Sequence, residues 1–197
     1  MVKGTLEKKP LSDKELNALW RKSASVEWAS PSNIVDAARI AMGGIDLDPA
    51  SSGVANEMVQ ATRYFSLEKP DEAFASKWFG RIWLNPPYGK PSSGVSNAGI
   101  WADRLWREFS EGNAQEACLY VKAAIGYKWW DRALSRADSA CILWDLPSHE
   151  NLVDGRKGYS PMGRSVMYYG DHTSEFKEAF SALGWFAHRH DRRGSIS

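Results

Sequence analysis

Residues 81–89 read Arg-Ile-Trp-Leu-Asn-Pro-Pro-Tyr-Gly, and no other stretch constrains the fold as strongly. Arg81 to Leu84 has the apolar, branched and aromatic character of a short strand. That strand must stop at Asn85. The two prolines fix two φ angles and remove two backbone N–H donors, and a residue before proline is held extended. A strand therefore ends in a stiff corner that presents carbonyl oxygens. In a sheet built from alternating strands and helices, ligands bind beyond the carboxyl ends of the strands, which is where such a corner falls.

The alternation runs through most of the 197 residues. Residues 1–25 read as a polar lead with one short helix, marked by the Ser12/Glu15 capping box and the apolar stripe Leu16, Leu19 and Trp20. Residues 26–197 read as the main domain. Ser30-Pro31 opens a helix with proline at its first position; Ile34, Val35, Ala38, Ile40 and Ala41 form its buried face, and Gly43-Gly44 ends it. The pattern then predicts a strand over 45–47 closed by Asp48-Pro49, a helix over 55–63 and the strand 81–84. A flexible loop follows over 89–99, then a helix over 100–110 and a strand over 116–122. Beyond it come a helix over 127–135, a strand over 139–144, a turn-rich basic segment over 155–163, a strand over 164–169, a helix over 174–183 and a last strand over 185–188. This order predicts an α/β fold with a mixed, mostly parallel sheet flanked by helices.

Composition narrows the class. The hydrophobic fraction is 43%, no apolar run is long enough to span a membrane, and residues 1–10 are polar and lysine-rich, so a cytoplasmic protein is expected. Cys118 and Cys141 lie in apolar runs and read as buried free thiols, with no zinc-like spacing and no metal expected. A net charge of +1 announces no polyanion partner by itself. The cluster His188, Arg189, His190, Arg192 and Arg193 reads as a solvated tail or a phosphate-contacting arm. Most of the ten tryptophans are expected in the core, and a few as stacking platforms for bases.

The corner has a chemistry. The Asn85 side-chain oxygen and the backbone carbonyls place acceptors near one point, which suits a planar amino group with two hydrogens to donate, and Tyr88 offers an aromatic face to the ring that bears it. The lone pair of such an amine is delocalised, so acceptors that favour pyramidal geometry and stabilise developing charge would promote its methylation, and alignment with a methyl donor would supply much of the rest. The bland alternative is a rigid turn after an edge strand with Tyr88 as a core aromatic.

With this loop, the sequence resembles the phage-type DNA N-6-adenine methyltransferase family, often called the phage Dam family. Four stretches carry the likeness: Glu27-Trp28-Ala29-Ser30-Pro31; Gly44 through Ser51 with Ala55-Asn56; Lys77 through Gly89; and Gly155-Arg156 through Tyr169. The resemblance implies a class I S-adenosylmethionine-dependent methyltransferase fold, Rossmann-like, and DNA as the partner. It implies that Asn85, Pro86, Pro87 and Tyr88 hold an extruded adenine, since a stacked base cannot reach the donor. It also implies that Ser30 and Pro31 line the methionine end of S-adenosyl-L-methionine and that Asp46, Asp48, Pro49 and Ala50 form the first cofactor loop, with Asn85 beside the methyl group. Trp28 would pack on the cofactor's adenine or in the core. Asp46 and Asp48 alternate along a strand, so only one faces the cofactor, and Asp48 is the favoured one. Arg156, Lys157 and Arg164 are the candidate DNA contacts, against a solvated hairpin, while Trp101 and Arg104 either touch DNA or pack an amphipathic helix. Ser30 stands where the family has threonine, and no Gly-x-Gly follows Asp48. Glu57, Glu68 and Asp71 all remain candidates for the ribose hydroxyls. The rival readings are a methyltransferase acting on RNA or protein glutamine, and a degenerate DNA-binding module.

Overall fold

The computed structural model describes residues 30–89, 96–150, 157–159 and 162–188. The helix expected within 1–25, Trp28, Arg156 and the basic tail past 188 lie outside the described residues. The elements, in order, are α1 (Ser32–Met42), β1 (Leu47–Ser51), α2 (Gly53–Val59), β2 (Arg63–Ser66), α3 (Pro70–Ala75) and β3 (Gly80–Leu84). They continue with α4 (Asn97–Ser110), β4 (Ala114–Lys122), α5 (Lys128–Arg136), β5 (Ser139–Leu143), β6 (Ser148–Glu150) and β7 (Lys157–Tyr159). The last three are β8 (Arg164–Tyr169), α6 (Thr173–Phe180) and β9 (Gly184–His188).

Seven strands form one sheet in the order β2-β1-β3-β4-β8-β5-β9, and β6 with β7 forms a separate antiparallel ribbon. β2, β1, β3 and β4 are mutually parallel. β8 runs antiparallel between β4 and β5, and β9 is antiparallel to β5. The fold is the mixed α/β class expected. Both faces of the sheet are covered, and successive strand residues enter opposite layers. Ile82, Leu84, Leu119, Val121 and Met167 pack with Trp78, Trp101, Leu105 and Trp130 of the α3–α4–α5 side. Trp83, Cys118, Tyr120, Val166 and Tyr168 pack with Ile34, Val35, Ala38 and Ala41 of α1 and with Phe176 and Phe180 of α6. Cys118 and Cys141 are buried free thiols. Among the described residues no helix is long and apolar enough to cross a membrane.

Several boundaries differ from the sequence expectation for identifiable reasons. Pro31 is the residue before the first turn of α1, not inside it, and Ile40 points to solvent at 72% exposure. Gly43 ends α1 in the left-handed conformation at φ 69° and donates its N–H back to Ile40. β1 does not close at Asp48-Pro49 but runs through both to Ser51. α2 starts two residues earlier than expected, where the Ser52 side chain accepts from the Ala55 N–H, and it ends at Val59, leaving Arg63 to begin the unforeseen β2. α3 was also unforeseen. α4 starts at Asn97, so Gly99 is helical, pressed against Trp129. Trp101 is fully buried, stacked on Trp78 at 5.8 Å, and Arg104 pairs with Glu108 and the carbonyls of Phe74 and Ser76. Both belong to packing and not to a nucleic-acid surface.

Trp101→Ala is therefore expected to cost about 3–5 kcal/mol of folding stability, with Trp101→Phe losing far less, as read by urea denaturation. A destabilisation near zero for the alanine variant would contradict this placement.

Candidate active site

The chain leaves β1 toward β2 on one side and returns as β3 on the other. The boundary between β1 and β3 is thus a topological switch point, where open sheets bind ligands beyond their carboxyl ends. The two strands pair only at Leu47 and Ile82. Beyond that point Pro49 has no N–H to offer, and the pairing of β1 with β2 also shifts register between Asp48 and Ser51. The carboxyl halves of β1 and β3 are not laddered together, and the break lies between Asp48–Ser51 and Asn85.

The corner is held by its side chains. Asn85 Nδ2 donates to Ser30 Oγ at 3.1 Å. That bond uses the amino half of the amide and leaves the Asn85 carbonyl oxygen on the other side as an acceptor. Pro86 is buried, while Asn85, Pro87 and Tyr88 are half-buried. The Tyr88 hydroxyl accepts from the Lys122 backbone N–H at 3.2 Å and from the Arg164 guanidinium at 2.5 Å. Lys122 Nζ lies 4.5 Å from the centre of the Tyr88 ring and the Arg164 guanidinium 5.2 Å from it. The ring is pinned by its oxygen and by two cations. Downstream, the Gly89 carbonyl accepts from the Asn97 N–H, so the first residue of α4 fixes the far side of the loop.

Ser30 and Pro31 also open an elongated cleft of about 390 Å³, lined by Ser32, Asn33, Met58, Leu143 and Asp145 among others. At its head is the N-terminus of α1, where Pro31 offers no side-chain cap. The first N–H groups of the helix carry partial positive charge and suit an anionic group.

Residues 18–157 match the family described as DNA N-6-adenine-methyltransferase (Dam). The chain belongs to this family. A DNA N-6-adenine-methyltransferase of Escherichia phage T1 is 27% identical over 147 residues, which cover 73% of this chain and 54% of that protein. The chain thus spans about half the length of that curated relative. No solved structure matches it.

Within this Dam-family chain, the residues singled out from sequence separate into two groups. Ser30, Pro31, Asp48, Pro49, Ala50 and Asn85 gather at the carboxyl edge. Asp46 does not. It precedes β1 at the opposite edge, where it binds Arg81 through both carboxylate oxygens at 2.8 Å and accepts the Arg81 N–H. Gly80, at φ 77°, makes room for it, since a Cβ there would come within 2.6 Å of the Asp46 carboxylate. The Arg81 guanidinium holds the Asp46 carboxyl below its ordinary range. This is a strut between strand starts, and it corrects the cofactor role expected for Asp46. Arg164, expected to open a strand and to contact DNA, does open β8, but it is 6% exposed and stands behind Tyr88. The Lys157 backbone belongs to the β6–β7 ribbon.

Sequence reasoning missed Lys122, Tyr120 and His149. Tyr120 is fully buried, stacked on Trp83 at 5.8 Å, and its hydroxyl meets His149 Nε2 at 2.9 Å. The Arg164 guanidinium lies 5.3 Å from the Tyr120 ring. The available signal was a lysine closing the apolar run of residues 117–121.

Two buried groups titrate in opposite senses. Asp48, 3% exposed, accepts from the Ala50 N–H at 3.1 Å, yet burial pushes its carboxyl up to about 7. His149, 4% exposed, is pushed down to about 4 by burial and by the nearby Arg164 and Lys122 charges. A carboxyl raised on folding contributes stability at low pH that is lost as pH rises through about 7; a histidine lowered on folding contributes stability at high pH that is lost as pH falls toward about 4. The slopes oppose each other over one window. Asp48→Asn should leave stability rising between about pH 4 and 6.5, and His149→Gln should leave it falling between about pH 4 and 7. Thermal melts of both variants across that range check the signs; parallel curves would refute them.

Proposed function

We propose that this protein transfers a methyl group from S-adenosylmethionine to the exocyclic N6 amine of adenine in DNA. The observation that carries this reading is the Asn85–Ser30 hydrogen bond at a strand end beside the switch point. It commits the Asn85 amino group to the protein and leaves its carbonyl oxygen for a substrate amine. The family and the phage T1 relative, both described as DNA N-6-adenine-methyltransferase, support the same acceptor.

The residues present fit the cofactor. The uncapped start of α1 suits its carboxylate, Asp145 on the cleft suits its α-ammonium, and Ile34, Met58, Leu143 and Leu183 line the cleft with apolar surface. A volume of about 390 Å³ lies in the ordinary range for small-molecule clefts. Pro49, Ala50 and the buried Asp48 are not part of that lining and would meet the cofactor only where it extends past the cleft toward β1. When bound, the cofactor supplies a methyl group on a sulfonium, activated without any covalent help from the enzyme.

The protein's own work is on the amine. Asn85 Oδ1 and the rigid carbonyls of the Pro86-Pro87 corner accept the two N–H bonds, which draws electron density back onto the nitrogen as it attacks. Tyr88, fixed through its hydroxyl, presents its ring to the extruded base. Ser30 acts through Asn85 and is a positioning residue. Arg156 and Lys157, from the basic segment, remain candidate contacts for the DNA backbone.

Asn85→Ala should lower the methylation rate by about 10²–10³-fold. Ser30→Ala should lower it less, and Ser30→Thr should restore it by returning the hydroxyl. The measurement is transfer of labelled methyl groups to separate DNA, RNA and protein acceptors, followed by mapping of N6-methyladenine in DNA from expressing cells. Label entering RNA or protein instead of DNA, or an Asn85→Ala variant of full activity, would refute the proposal.

A further inference from the structure

We propose that Lys122 and Arg164 form a seat for a phosphodiester group of the substrate DNA, next to the base held by Asn85 and Tyr88. This rests on the reading of DNA as the acceptor given above.

The sheet carries an electrostatic anomaly where β4 meets β8. Lys122, the last residue of β4, and Arg164, the first of β8, are direct cross-strand partners. Like charges directly opposite in an antiparallel pair repel and destabilise it. Here Arg164 lies out of bulk water at 6% exposure, and Lys122 is half-buried beside it. Buried charges are normally paired with opposite ones. Other partly buried arginines of this chain obey that rule: Arg39 pairs with Asp36, Arg81 with Asp46, Arg104 with Glu108, and Arg136 with Asp103.

Among the described residues neither Lys122 nor Arg164 has a carboxylate partner. What they have is neutral: the Tyr88 hydroxyl, and the π faces of Tyr88 and Tyr120. Arg164 Nε is buried with no hydrogen-bond partner at all. Aromatic faces attract cations without cancelling their charge, so two positive charges stand uncompensated at the catalytic edge. Desolvation and Arg164 both hold the Lys122 ammonium below its ordinary pKa, in keeping with a charge that waits for an anion.

The class of anion follows from position. The carboxylate of the cofactor already has the α1 N-terminus, on the Ser30 side of the corner. The two cations sit on the Tyr88 side, against the ring that receives the base. An extruded nucleotide carries a phosphodiester on each side of its sugar, so a base stacked on Tyr88 brings a phosphate close to this pair. Lys122, the more exposed of the two, meets the phosphate. Arg164 holds Tyr88 and adds its field from behind.

The test uses the full chain and labelled duplex and single-stranded oligonucleotides, with binding followed by fluorescence anisotropy over a potassium chloride series. A side chain that neutralises one phosphate contributes about one to the slope of log K against log salt. Lys122→Met keeps the stem against Tyr88 and removes the charge. It should lower the slope by about one and weaken binding roughly fivefold to tenfold near 0.1 M salt. Lys122→Arg should restore the slope. Affinity for S-adenosylmethionine, read by calorimetry, should not change, and the melting temperature without DNA should stay level or rise as repulsion is relieved.

A folding defect scales binding by one factor at all salt concentrations and leaves the slope alone, so an unchanged slope overturns the seat. Loss of S-adenosylmethionine binding with DNA binding intact also overturns it, by assigning the charges to the cofactor. These readouts need no methyl transfer. Wild-type protein that binds DNA with the expected slope yet leaves adenine unmethylated would sink the proposed activity and spare the seat. Adenine methylation with a slope indifferent to Lys122 would do the reverse.

Discussion

The hydrogen bond from the Asn85 amide to Ser30 joins residues 55 apart in the chain, and the rest of the site takes its bearings from it. It exists only because two independent stops fall at one edge of the sheet. β3 must end at Asn85 because two prolines follow, and α1 must begin after Pro31 because proline cannot extend a helix backward. α1 then runs the length of the sheet and turns at Gly43 into β1. The result orients an amide by local chain chemistry at both of its anchors, with the apolar layer beneath α1 keeping the two anchors in register.

The two edges of the sheet are built on opposite electrostatic terms. At the edge where β1 and β3 begin, Asp46 and Arg81 match each other's charge through two side-chain hydrogen bonds and share a backbone contact. At the edge where they end, Asp48 is buried beside amide and hydroxyl groups, His149 is held neutral against Tyr120, and Lys122 and Arg164 face each other with no counter-ion among the described residues. A sheet can carry such an edge only because two apolar layers supply the net stability. Fully buried tryptophans occur in both, Trp78 and Trp101 in one and Trp83 in the other. Matched charges belong to the scaffold, and unmatched ones concentrate where a ligand is expected.

Much of this was legible in the chain. Strand β8 was read to the residue, β3, β5 and β9 to within one, and the α/β class followed from alternation alone. Short elements were harder. β2 is four residues long and α3 six, so neither repeats its pattern often enough to stand out in the sequence. The end of β1 was misread because Asp-Pro is ordinarily a turn signal; here the strand tolerates proline because its partner β3 has already peeled away. Asp46 and Asp48 looked alike in sequence. They differ because one precedes the strand at the closed edge and the other lies within it near the open one, a distinction that depends on where Arg81 lands two strands later.

Arg164 shows most clearly why a one-dimensional reading stops short. In a parallel sheet, residues that begin strands lie far from the site and residues that end them lie near it. β8 is reversed, so its first residue stands level with the last residue of β4. A basic residue that opens a strand after a Gly- and Pro-bearing turn reads as a candidate DNA contact, yet the reversal draws it in behind Tyr88. The same inversion brings the ribbon holding His149 to the stacked pair Trp83 and Tyr120. The reversed strand β8, set between β4 and β5 in this mixed sheet, thus supplies the candidate edge with a side chain that a parallel strand could not deliver from its starting residue, and it does so beside the aromatic ring that the double proline holds in place.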